Sequence, residues 1–312
     1  MMLFADTYTR NQQVHLSVLQ EKNIQLFMKR EDEIHPFVSG NKFRKLKYNI
    51  AHAKEAGLKS IVTFGGAYSN HIAATAVTGK LYGLNTVGII RGEELGVDVE
   101  HTMRTNATLR RAYENGMQFA FVSREDYRKK EEKLFLKTLE EQYGEFYLVP
   151  EGGTNDLAVK GCEEILTNED TSFDYICCCV GTGGTISGLI RSAKEHQKVI
   201  GFPALKGDFL TSEIEKFIGK KNNWELNTAY HFGGYAKYQP ELIHFINGFK
   251  KETNIQLDPI YTGKMAFGVL DMIENEQLPD GSKILMIHTG GLQGIQGFNS
   301  MLTKKNKELQ IN

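Results

Sequence analysis

The chain has 312 residues, 41% of them apolar, with 37 Lys and Arg against 38 Asp and Glu for a formal net charge of −1. That length and apolar content suffice for two ordinary domains with well-buried cores, and they exclude a disordered chain or a small scaffold stapled by disulfides. The balanced charge gives no sequence-wide basic field for a phosphate backbone, so no nucleic-acid partner is expected.

Four cysteines, Cys162 and the adjacent Cys177, Cys178 and Cys179, show neither a metal-ligand spacing nor a disulfide framework. Reduced, buried thiols and no metal are the expectation. The N-terminus reaches an acid at Asp6 before any apolar core forms, and the uncharged stretch from Tyr175 to Ile190 is too short and glycine-rich to span a bilayer. A cytoplasmic protein without a membrane segment is expected.

In chain order, Phe43, Leu46, Ile50 and Ala53 recur at helical spacing and predict a helix over 42–56, with Asn41 as its N-cap and Gly57 as its stop. A strand over 60–64, a loop from Gly65 to Asn70 and a helix from His71 towards Tyr82 follow. The unit recurs with a strand over 85–91, a helix over 101–115, a strand over 117–122 and a charged surface helix over 124–142. After Pro150-Glu151-Gly152-Gly153-Thr154 a second series begins, with a helix over 157–167, a strand over 175–180, a glycine loop, a helix over 185–196 and a strand over 198–204. Strand and helix alternate throughout, which is the α/β pattern. The reading is a small α/β domain over 52–152 and a large one made of 1–51 and 153–312, with a cleft between them.

Several stretches have residue types that suit chemistry. Lys42 sits just after the expected cap, where the positive end of the helix dipole disfavours an ammonium and favours the neutral amine that carbonyl chemistry needs. Taken alone, it reads more readily as a solvated helix-start lysine on a basic helix face. Gly181-Thr182-Gly183-Gly184-Thr185 joins a strand to a helix, where backbone N–H groups converge on an anion. It lacks the third glycine of a dinucleotide fingerprint and the Lys-Ser/Thr of a Walker loop, which favours a small phosphorylated cofactor, although such turns also serve packing. The loop ending Ser69-Asn70-His71 has the same placement and suits a carboxylate, or simply caps the next helix. Tyr235 and Tyr261 are acid/base or positioning candidates, and equally packing residues.

Together, Lys29-Arg30-Glu31-Asp32, Ser39-Gly40-Asn41-Lys42-Phe43-Arg44-Lys45-Leu46, Gly65 to His71, Gly181 to Thr185, Asp258-Pro259-Ile260-Tyr261-Thr262-Gly263-Lys264 and His288-Thr289-Gly290-Gly291 resemble the 1-aminocyclopropane-1-carboxylate deaminase / D-cysteine desulfhydrase family. The resemblance runs in order from about residue 25 to residue 298. It implies a pyridoxal 5′-phosphate enzyme of fold type II, with two three-layer α/β domains of open twisted sheets, tryptophan-synthase β-like, and the cofactor in the cleft. By resemblance Lys42 holds the cofactor covalently, Gly181, Thr182, Gly183, Gly184 and Thr185 form its phosphate cup, and Lys45 adds charge there. Ser69, Asn70 and His71 match the loop that receives the substrate carboxylate, with Asn70 also beside the ring hydroxyl. Tyr261, and more loosely Tyr235, match tyrosines near the substrate. The implied catalytic set is Lys42, Ser69 and Tyr261, and the implied assembly is a homodimer.

Cyclopropane-opening members of the family have glutamate and leucine where this chain has Thr262 and Thr289. A hydroxyl near the pyridine nitrogen makes a milder electron sink than a carboxylate does. The expectation is therefore a lyase that eliminates across Cα and Cβ of a small amino acid, D-cysteine first, giving pyruvate, ammonia and sulfide. The alternatives are 1-aminocyclopropane-1-carboxylate deamination to 2-oxobutyrate, and a non-catalytic pyridoxal-phosphate or amino-acid binding protein on the same scaffold. The N-terminal segment Tyr8 to Val14 departs from the family's proline-containing one.

Overall fold

Apolar runs of three to seven residues assemble into two separate sheets in a computed structural model that describes residues 4, 7–305 and 309–312. The strands are β1 (Asn11–Val14), β2 (Gln25–Lys29), β3 (Ser60–Gly66), β4 (Asn85–Arg91), β5 (Met117–Val122), β6 (Tyr147–Val149), β7 (Tyr175–Val180), β8 (Lys198–Pro203), β9 (Trp224–Leu226) and β10 (Lys283–Ile287). One sheet has the order β1-β2-β10-β7-β8-β9 and the other β5-β4-β3-β6. All pairs are parallel except the antiparallel β1–β2 edge.

Parallel strands need both faces covered, and the side-chain alternation of β7 shows how this is met. Cys177 and Cys179 enter the core under the helices Pro240–Thr253 and Thr262–Glu274. Cys178 and Val180 enter the opposite core with Ile186, Leu189 and Ile190 of the helix Gly184–Ser192. The same division occurs in the smaller sheet, where Ile61 faces one cluster and Val62 and Phe64 face another. The four cysteines are buried free thiols.

The predicted strands over 85–91 and 117–122 have the observed bounds, and the first helix runs over Asn41–Glu55. Two predicted helices are each two. Asn106 interrupts 101–115 with an extended backbone and caps the second half through the Leu109 N–H, giving Val99–Thr105 and Ala107–Glu114. The charged stretch 124–142 turns at 129–132 between Arg124–Arg128 and Lys133–Tyr143. Strands β1, β2, β6 and β9 are not expected from the sequence: three to five residues carry too little periodicity, and β2 is fixed by pairing with β10, more than 250 residues away. The boundary drawn at 51/52 falls inside the helix Asn41–Glu55, whose Phe43, Leu46 and Ile50 pack beneath the smaller sheet.

Asn41 does not cap this helix. Gly40 does, at φ 61°, and the Asn41 side chain instead donates to Thr185 Oγ1 at 2.8 Å. Glycine is required here because a Cβ would lie 2.0 Å from the Thr289 carbonyl oxygen and 2.6 Å from the Gly290 nitrogen. That close approach, with the Asn41 N–H on Thr289 O at 3.2 Å, locks the helix start to the end of β10. Gly40→Ala is expected to lower unfolding free energy by at least about 2 kcal/mol, read from urea denaturation midpoints, since strain and clash fall on backbone at both sides.

Candidate active site

The loops at the carboxyl ends of β3, β6, β7 and β10 converge on the first turn of the helix Asn41–Glu55, as ligand sites in open α/β sheets do. Lys42 and Lys45 lie one turn apart on that helix and so share a face. Both amines donate to the Gly152 carbonyl, at 3.2 and 3.0 Å, and Lys45 Nζ also reaches Thr154 Oγ1 at 2.9 Å. Among the described residues no carboxylate lies within ion-pair distance of either. Loss of hydration, then the neighbouring Lys45 charge, pulls Lys42 down to about 7, and burial lowers Lys45 as well. Lys42 is therefore available as a neutral amine near neutrality.

The Gly181–Thr185 loop stands directly opposite. Gly183 has φ 85°, and the helix Gly184–Ser192 that follows leaves its first N–H groups without intrahelical partners. A side chain at Gly184 would meet Thr154 Oγ1 at 2.8 Å and Lys45 Nζ at 3.2 Å, so the bare backbone keeps the Lys45 ammonium in the cup. The Thr182 and Thr154 hydroxyls bond each other at 2.6 Å, and Thr185 takes the Asn41 amide.

Ser69 is the N-cap of the helix Asn70–Tyr82, its Oγ receiving the Ile72 N–H at 3.4 Å. The Asn70 amide lies against Gly291 of the β10 turn, and its buried Oδ1 has no partner. The His71 ring is not at the loop's surface but beneath it, 1% exposed, with Nε2 2.8 Å from Thr63 Oγ1. Because the Thr63 hydroxyl donates to the Val149 carbonyl, it must accept from Nε2–H, which leaves Nδ1 a bare, unpartnered acceptor. Burial and then the charges of Lys42 and Lys45 keep this ring neutral. Its contribution to a carboxylate site is thus confined to its backbone N–H.

Tyr261 begins the helix Thr262–Glu274, its ring against Gly181 and edge-on to Tyr235 with centroids 6.2 Å apart. Asp258 sets this geometry by accepting the N–H groups of Ile260, Tyr261 and Thr262, each at 2.8 Å. Burial raises the Tyr261 hydroxyl well above its ordinary value, so it stays a donor. Thr262 gives its hydroxyl proton to Asp258 at 2.7 Å and accepts the Asp258 N–H, so it is occupied within the turn. Thr289 Oγ1 lies 3.0 Å from Cys179 Sγ at the site floor.

Three groups in this arrangement had no role assigned from sequence. Gly152 and Thr154 receive the lysines, and the Pro150-to-Thr154 glycine stretch was the available signal. Lys264, in the quoted Asp258-to-Lys264 run, donates to the His231 and Gly234 carbonyls at 2.8 Å each and so ties down the loop that holds Tyr235.

A model of pyridoxal-phosphate dependent enzymes matches residues 5–290. A putative 1-aminocyclopropane-1-carboxylate deaminase of Thermotoga maritima is 32% identical over 303 residues, covering 90% of this chain and 93% of that one. The chain belongs to the 1-aminocyclopropane-1-carboxylate deaminase / D-cysteine desulfhydrase family of pyridoxal-phosphate dependent enzymes. A bifunctional D-cysteine desulfhydrase/1-aminocyclopropane-1-carboxylate deaminase of Arabidopsis thaliana is 30% identical, covering 87% of this chain and 73% of that one. The crystal structure of an ACC deaminase homologue superposes with a TM-score of 0.82 at 27% identity, covering 97% of this chain and 95% of that one. The protein is thus a fold type II pyridoxal-phosphate enzyme, and its donor set fits that cofactor. A glycine cup on a helix N-terminus with a buried ammonium suits a phosphate dianion, and a nearby neutral amine suits an aldehyde. No helix among the described residues is long and apolar enough to cross a membrane.

The depressed Lys42 sets a pH dependence for cofactor capture. In this chain the rate at which cofactor-free protein captures pyridoxal phosphate is expected to rise about tenfold per pH unit up to about 7 and then level off, as the amine loses its proton. Stopped-flow absorbance between pH 5.5 and 9 checks this. A rate still climbing at pH 9 would show an ordinary lysine.

Proposed function

We propose that the protein is a D-cysteine desulfhydrase, releasing pyruvate, ammonia and sulfide. The observation that carries this reading is the hydroxyl pair Thr262 and Thr289 at the positions where cyclopropane-opening relatives resemble the chain but have glutamate and leucine. The Thr289 hydroxyl bonds Cys179 Sγ and the Thr262 hydroxyl bonds within its own turn, so among the described residues neither hydroxyl meets a carboxylate other than Asp258. A hydroxyl environment suits loss of a good leaving group more than the opening of a carbon ring.

Pyridoxal phosphate, when bound, supplies the electron sink for the pair left at Cα. Lys42 would hold it covalently, with Lys45, Thr182 and the N–H groups of Gly183 to Thr185 around its phosphate and Asn70 beside its ring hydroxyl. The N–H groups at Asn70 and His71, together with the Ser69 hydroxyl, receive the substrate carboxylate, since the Ser69 N–H is spent on the Gly66 carbonyl. Lys42 Nζ takes the Cα proton, which a neutral amine near pH 7 can do. The Tyr261 hydroxyl, kept protonated by burial, donates to the departing sulfur, and Tyr235 closes the solvent side of the pocket. A homodimer in the cytoplasm accords with the family resemblance.

The deciding experiment incubates the holoenzyme separately with D-cysteine, L-cysteine and 1-aminocyclopropane-1-carboxylate and identifies the 2-oxo acid. Pyruvate from D-cysteine is the expected result, whereas 2-oxobutyrate from the cyclopropane substrate would replace this reading with the deaminase. Lys42→Ala is expected to abolish both the visible absorbance of the bound cofactor and turnover. Ser69→Ala is expected to keep the absorbance and lower kcat/KM by about 10- to 100-fold, the loss of one or two charge-assisted hydrogen bonds.

A further inference from the structure

At the carboxyl edge of the smaller sheet a cavity of about 540 Å³ lies beside the site just described. Its walls come from the ends of all four strands: Gly66 at the end of β3, Arg91 at the end of β4, Arg124 beyond β5 and Glu151 beyond β6. It adjoins the reacting centre on two sides. Gly66, Ala67 and Tyr68 lead straight into Ser69, and Glu151 precedes Gly152, whose carbonyl receives Lys42. Tyr235 lies near enough for its hydroxyl to sense the charges of Arg91 and Glu151.

The charge in this cavity is uneven. Arg124 meets Glu94 at 3.4 Å and Lys130 meets Glu151 at 3.5 Å, so these four neutralise one another. Arg91 and Arg128 also line it, and among the described residues neither has a carboxylate partner. Arg91 rests its guanidinium 5.5 Å above the Tyr127 ring, a contact that fixes its position without cancelling its charge. Tyr127 is 3% exposed, and its buried hydroxyl lies towards the Glu151 carboxylate on the same wall. Two guanidinium groups without carboxylate partners call for an anion with several acceptor oxygens. A bare thiol substituent fills little of this volume and meets neither arginine.

We propose that this cavity receives the far end of an amino-acid substrate whose β-substituent terminates in a carboxylate, a thioether acid in place of a free thiol. The proposal rests on the β-elimination reading and extends it to a substrate class. The chemistry balances as before. The Cα–H and Cβ–S bonds break, the electron pair of the latter leaves with sulfur, and the sulfur takes a proton to depart as a carboxylate-bearing thiol. Water supplies the keto oxygen of pyruvate, and the amino group leaves as ammonia.

The test is binding rather than turnover. Calorimetric titration of the holoenzyme uses 3-(carboxymethylthio)propanoate, which has no amino group and cannot react, and its analogue with a neutral amide at the thioether end. The acid is expected to bind roughly tenfold more tightly than the amide, an advantage that shrinks with added salt and falls to about one in Arg91→Met. Arg128→Gln, at an exposed position where folding is not in question, is expected to reduce the advantage as well. Equal affinities in the wild-type protein, or an advantage intact in both variants, would overturn the proposal. D-cysteine turnover in parallel separates the two readings: turnover without acid preference removes the cavity's role alone, and acid preference without turnover leaves the cavity and removes the desulfhydrase.

Discussion

Two lysine amines share one carbonyl oxygen in a space where no described residue offers either a carboxylate, and much of the site follows from that confinement. Burying a cation without a counter-charge is costly unless the charge is lost or an anion arrives. The two lysines divide these outcomes. Lys42 sits where water is removed and a neighbouring ammonium repels, so it sheds its proton near pH 7. Lys45, one turn deeper, gains two hydroxyl oxygens and faces the glycine cup, where a dianion would satisfy it.

Confinement of this kind needs the two sheets held in one relation, and the contacts that do so are made by backbone. The helix start at Gly40 touches the end of β10 at separations no side chain permits, and Gly161 meets the Arg44 carbonyl with a would-be Cβ at 2.0 Å. Around them the charges are paired and buried: Glu31 takes the Arg44 guanidinium and the Thr9 hydroxyl, and Lys29 takes Asp170. Such pairs contribute little net stability compared with apolar substitutes, but breaking one leaves a lone charge in the core. They hold the N-terminal strands and the first helix in register, and the reactive lysine with them.

The sequence made the parallel units legible because their apolar runs are long enough to show a period, and glycine marks where strand gives way to helix. The site residues were legible in a different way. Lys42 alone was an unremarkable surface lysine, and only its place among other short motifs in order distinguished it. What stayed hidden depends on three-dimensional approach. That Gly152 would receive both amines, that His71 would turn inward to Thr63, and that Thr262 would spend its hydroxyl on Asp258 are contacts between segments or within turns that carry no periodic signal. The Asn41 cap failed for a related reason. Local preference favoured its side chain, but Gly40 alone tolerates the approach of the Thr289 carbonyl, so tertiary contact overrode it.

The same contrast bears on how one scaffold serves several reactions. Lys42 and the Ser69 loop are set by helix starts and strand ends that the fold cannot move without losing its core. On the periphery of that frame stand Thr289 at the floor, the Tyr235 loop tethered by Lys264, and the arginines at the end of β4 and beyond β5. On the function proposed above, a change at any of these would alter which substituent is accepted or how readily a bond at Cα breaks, while leaving the amine at Lys42 where it is. Selectivity then resides in side chains that the fold tolerates changing, and the acid–base step resides in backbone geometry that it does not.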